Sequence, residues 1–179
     1  MADRAEAYLR ALEDEFPGLR VVPKARSPFS RLVDGALRVV TLGRQSAYMT
    51  RYVTTMGRTI YVPADWEGRH PDDRYVTLRH EAVHLRQFRR LGWPVMAVLY
   101  LLPILPLGLA LGRARLEWEA YAETLRATAE VRGPEAARDP ALRAHILRQF
   151  TSGAYGWMWP FPQAVNKWID TVLAELPRS

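Results

Sequence analysis

The chain has 179 residues, enough for a core of its own without disulfides or other staples. Charged residues make up 25% and apolar residues 49%, a globular balance that argues against a disordered chain. The net charge of +6 comes almost wholly from arginine, Lys24 and Lys167 being the only lysines; the cations are scattered, no nucleic-acid-binding signature accompanies them, and cysteine is absent, so neither a nucleic-acid partner nor a disulfide framework is expected.

Residues 1–16 read as a charged amphipathic helix, with Ala5, Tyr8, Leu9, Leu12 and Phe16 at helical spacing and Pro17-Gly18 as its stop. Nothing there has the pattern of a signal peptide, so a cytoplasmic location is expected, with membrane association left open. Residues 27–34 read as loop. A β region follows over 37–63. Residues 37–42, 47–55 and 58–63 are rich in Val, Thr, Tyr and Ile, and Met56-Gly57 suggests a tight hairpin between the last two.

Residues 72–91 form the most informative segment. Pro71-Asp72-Asp73 is a helix start, Arg86, Arg89 and Arg90 suit the end of the dipole, and Gly92-Trp93-Pro94 is a stop. Tyr75, Leu78, Ala82, Leu85 and Phe88 give the apolar stripe. Beside that stripe lies His80-Glu81-Ala82-Val83-His84, an HExxH run. Histidines four apart share a helix face, so both imidazoles can reach one metal ion, and Glu81 can place its carboxylate beside the ion's open position. The competing reading is a solvated helix face carrying incidental histidines.

Residues 93–112 carry no charge and are long enough to cross a bilayer, but Pro94, Pro103 and Pro106 would bend or break a helix there. A single crossing would leave His84 and Glu117 on opposite sides of the membrane, too far apart to share an ion. A kinked or re-entrant apolar unit with peripheral membrane contact is therefore favoured, ahead of a buried core segment and of a true span.

A third ligand is needed, because a catalytic zinc usually has three protein ligands and a water. His70 sits in a polar loop and is expected to be exposed; His145 falls in a later helix, at a core edge or the surface. A carboxylate on the helix expected over 113–132 is the better choice. Small Ala120 permits close helix packing, which makes Glu117 the first candidate and Glu119 the second. Residues 139–176 complete the chain with helices opened by Asp139-Pro140 and by Pro160 or Pro162. The aromatic run 155–161 either walls a cleft or, more simply, packs in the core.

HEAVHLRQ followed by RLEWEAYAE resembles the gluzincin-type zinc metallopeptidases, and most closely small bacterial members with an HExxHxxQ run and a later E-x-E-A. The match covers roughly residues 75–126. Where many membrane-linked gluzincins carry Asp four residues after the ligand glutamate, this chain has Tyr121. The resemblance implies Zn2+ held by His80, His84 and Glu117, Glu81 as general base, and a peptide or protein substrate laid along an edge strand. It implies an α+β fold: one small zincin-like domain over 1–179, with a short antiparallel sheet or hairpin on the HExxH helix and a mostly helical C-terminal part. Tyr121, Tyr155 and arginines are candidate oxyanion donors. The alternative function is a non-catalytic metal-binding or membrane-associated scaffold that retains the motif.

Overall fold

A computed structural model describes residues 3–40, 49–50, 52–101, 110–152 and 158–177. The fold is α+β, mostly helical with one small sheet. Two compact units divide the chain, Met1–Arg86 and Gln87–Ser179, and the division falls within a single helix, α3 (Pro71–Leu101).

In the first unit, α1 (Arg4–Glu15) is capped by Asp3, whose side chain accepts from Ala5 N at 2.9 Å. It runs parallel to the first half of α3. Arg74 pairs with Asp3 at one end, and Arg86 grips both carboxylate oxygens of Glu15, at 3.0 and 2.7 Å, at the other. Between these pairs Tyr8 meets Tyr75 edge-on at 5.3 Å. Leu12, Ile60, Leu78, Ala82 and Leu85 are all within 2% of full burial. Each leucine buried in this way stabilises the fold by about 1.5–3 kcal/mol.

The hairpin expected around Met56-Gly57 is present: β2 (Thr54–Met56) and β3 (Thr59–Val62) are antiparallel and joined through Gly57 at φ 60, a conformation that favours glycine. A third strand, β1 (Arg20–Pro23), pairs in parallel with β3, so the sheet is mixed and its order β1-β3-β2 leaves β2 at an edge.

Two local expectations are overturned. Of the expected loop 27–34, residues 28–34 are helical, and 37–40 are not strand; both lie in α2 (Pro28–Val40). The start is built as a helix start should be: Ser27 Oγ accepts from Ser30 N at 3.0 Å, Ser27 O accepts from Arg31 N at 3.2 Å, and Pro28 occupies the first helical position. Residues 41–42, 47–48 and 51 of the expected strands lie outside the described residues.

α3 opens at Pro71 with Asp72 and Asp73 in its first turn. Exposed His70 caps it, its carbonyl accepting from Arg74 N at 3.1 Å and its Nδ1 from Asp72 N at 3.2 Å. The stop expected at Gly92 is a break rather than an end. Gly92 leaves helical geometry at φ 75, ψ 164, and a second helical stretch containing Pro94 continues to Leu101.

In the second unit the chain doubles back. Gly112, in the first turn of α4 (Leu111–Arg132), lies so close to Leu99 that a Cβ added there would sit 2.6 Å from Leu99 Cδ2. Arg113 lies over the Tyr100 ring at 5.6 Å. The apolar segment is thus a turned-back unit at both of its described ends, and 102–109, with Pro103 and Pro106, lies outside the described residues. Beyond α4 come α5 (Pro134–Ala137), α6 (Pro140–Thr151), capped by Asp139, and α7 (Pro162–Glu175). Leu125, Ile146, Phe150, Val165 and Ile169 form their core. Trp159 stacks on Trp168 at 6.0 Å and its backbone N–H donates to Phe150 O at 2.9 Å, so Met158 and Trp159 of the aromatic run pack in this core, while Phe161 is exposed. Tyr155 and Trp157 lie outside the described residues.

Candidate metal centre

His80 and His84 occupy consecutive turns of α3, their rings 5.1 Å apart between centroids. His84 is buried and His80 half-buried, because the stripe Leu78–Ala82–Leu85 turns inward beside them. Glu117 on α4 is buried at 7% exposure, unusual for a carboxylate, and accepts from Tyr100 Oη at 3.0 Å. One ligand atom from each of His80, His84 and Glu117 lies within 4.8 Å of the others. Two imidazoles and a carboxylate are a donor set that can hold a divalent metal ion, zinc among them.

Glu119, the second candidate, does other work. Its Oε2 accepts from Gln87 Nε2 at 2.9 Å, and Arg90 reaches the same oxygen at 3.2 Å. Gln87 is buried and also donates to Leu116 O at 3.0 Å. It stands one turn after His84 on α3 and grips the residue just before Glu117. Within the second unit, Gln87 thus ties its part of α3 to the turn that carries Glu117.

Glu81 is buried at 5% exposure. Thr55 Oγ1, on edge strand β2, donates to its Oε2 at 2.7 Å. Next to Thr55, Thr54 Oγ1 accepts from the ammonium of Lys24 at 3.0 Å. Lys24 is fully buried, and burial pushes its pKa down from 10.5 to about 8, against the opposing pull of the Glu81 and Asp34 carboxylates. A cation thus stands behind the carboxylate of the HExxH run.

His145 is not among these groups. It lies on an exposed position of α6, 3.5 Å from the Gln149 amide, and its pKa is lowered by desolvation and then by Arg148. Tyr121, an expected oxyanion donor, is buried in the second unit's core with its ring 5.7 Å from Phe150. The other tyrosine expected as a donor, Tyr155, is outside the described residues.

Reading the sequence alone misses Thr55, Lys24 and Tyr100 as neighbours of the motif. Gln87 is visible in the HExxHxxQ run, but its grip on α4 is not. Set against protein-family models, curated proteins and solved structures, the chain matches none.

Proposed function

We propose that this protein is a zinc-dependent peptidase of gluzincin type with a small zincin-like architecture. His80, His84 and Glu117 would hold the metal, and Glu81 would act as general base. The observation that carries the reading is the convergence of those three ligand atoms within 4.8 Å, two of them on the helix that also carries buried Glu81.

Zinc bound by such a set would lower the pKa of a coordinated water to about 7 and polarise a substrate carbonyl. Glu81 is equipped to take a proton from a water at that position and hand it to the leaving amide nitrogen. The Thr55 hydroxyl fixes one oxygen of that carboxylate. Tyr100 holds Glu117 Oε1, which orients that carboxylate. Among the described residues strand β2 lies at an edge of the sheet, and a peptide substrate would add to it as a further strand.

Replacing Glu81 with Gln keeps the size of the side chain and removes the base. The reading predicts retained zinc and loss of peptide hydrolysis by at least about a hundredfold, the range for a removed general base. Equal hydrolysis of a denatured casein substrate by both proteins would refute it.

A further inference from the structure

The second half of α3 exposes large apolar side chains. Trp93 is 54% exposed, Val95 45% and Val98 48%, and Leu111 at the start of α4 is 41% exposed. They are not compensated by a polar face, because residues 93–112 contain no charged side chain. Met96, between Val95 and Val98, is buried at 1%, so the stretch has a distinct inner side and a distinct outer side. Among the described residues no helix is long and apolar enough to cross a membrane.

What flanks this surface is cationic. Arg89 and Arg90 are exposed in the turn before Gly92, and Arg115 is exposed in the first turns of α4. Arg90 shares its charge with Glu119 at 3.2 Å. Tryptophan stands at the junction between the arginines and the aliphatic residues. An apolar surface edged by tryptophan and arginine suits the boundary between lipid tails and headgroups, where the indole sits at the polar level and guanidinium groups reach phosphate.

We infer that the outer face of Trp93–Val98, with Leu111, docks onto the surface of an anionic bilayer without crossing it. A second copy of the chain is the other candidate occupant. It is disfavoured because a pair of copies, each at +6, would bring Arg89, Arg90 and Arg115 against their own counterparts. A lipid surface supplies the opposite charge and makes no demand for shape complementarity.

The inference stands apart from the metal reading, although Tyr100, on the same helical stretch, touches Glu117. Flotation of the purified full chain with vesicles tests it, using phosphatidylcholine alone and a 3:1 mixture with phosphatidylglycerol. The wild type is expected to float with the anionic vesicles and more weakly with the neutral ones. A Val95→Asp/Val98→Asp variant should lose at least about tenfold in binding, and the milder Trp93→Ser should lose part of it. All three side chains are exposed, so circular dichroism of the variants should match the wild type. Zinc content measured on the same samples should be unchanged, which keeps a failed metal site from being mistaken for a failed anchor. The inference is overturned if no vesicle carries the protein, or if the Asp variant floats as well as the wild type. It is also overturned if sedimentation shows a wild-type dimer that the Asp variant dissolves, for then a second copy covers the face.

Discussion

Thr55 on edge strand β2 donates a 2.7 Å hydrogen bond to Glu81 of the HExxH run, across 26 residues of chain. The bond gives the sheet a task beyond covering the helix, since it holds one oxygen of the carboxylate proposed as base. Replacing Thr55 with Val keeps the shape of the side chain and removes the donor. Peptide hydrolysis should fall about tenfold to a hundredfold, the usual cost of losing an orienting partner, while zinc content stays the same. A Ser variant, which restores the hydroxyl, should recover most of the loss. A Val variant as active as the wild type would show that Glu81 needs no such orientation.

Lys24 gives the fold a pH dependence whose sign can be worked out. In the unfolded chain its ammonium keeps its proton up to about pH 10.5, whereas burial brings the folded value down to about 8. Below about pH 8 both states are protonated, and the folded state bears the whole cost of the buried cation. Between about 8 and 10.5 the unfolded state binds more protons, so this group's contribution makes stability rise with pH. Urea denaturation of the metal-free protein at several pH values in that window should show the rise, relative to a Lys24→Met variant that lacks it. Parallel curves for the two proteins would mean that Lys24 titrates normally.

Gln87 is the tie between α3 and the Glu117 turn, with hydrogen bonds to Leu116 O at 3.0 Å and Glu119 at 2.9 Å. Its replacement by Leu should destabilise the fold by about 1–3 kcal/mol, because a buried carbonyl and a carboxylate lose a donor. It should also weaken zinc binding by about tenfold or more by loosening Glu117. Chemical denaturation and competitive chelator titration measure the two effects separately. Loss of stability with unchanged zinc affinity would make Gln87 a structural residue only.

Gly112 lies directly against Leu99 where the apolar unit turns back. An alanine there must displace Leu99, whose Cδ2 would lie 2.6 Å and whose Cβ 3.4 Å from the new methyl. Moving the flexible end of that side chain should cost about 1 kcal/mol, close to the gain of up to about 1 kcal/mol from replacing a helical glycine, so the single variant should be nearly neutral. A Leu99→Ala/Gly112→Ala double variant should be less unstable than the sum of the single variants. Strict additivity of the melting shifts would place Leu99 away from Gly112.

Local pattern carried much of this architecture. The apolar stripe, the acids after Pro71 and the HExxH spacing are all features of one helix, and they locate α3 and both histidines without tertiary information. Glu117 was legible for a related reason, since small Ala120 marks where a helix can be approached closely. Partners that arrive from distant strands were not legible. Thr55 and Lys24 come to Glu81's neighbourhood from 26 and 57 residues away (81 less 55, and 81 less 24), and no period in the sequence records that. α2 is hidden from pattern because Val39, Val40 and Thr41 look like strand, while the Ser27-Pro28 cap that starts the helix looks like loop. Strand β1 was missed because it is four residues long and ends in proline, a residue that leaves the ladder without a donor.

The most direct test of the account is elemental analysis of the purified chain beside His84→Ala, Glu117→Gln and Glu119→Gln variants. The account predicts about one zinc per wild-type chain. The ion should be lost in the first two variants and retained in the third. A wild-type chain that holds no zinc, even after zinc is added, would contradict it, as would a Glu117 variant that binds zinc as tightly as the wild type.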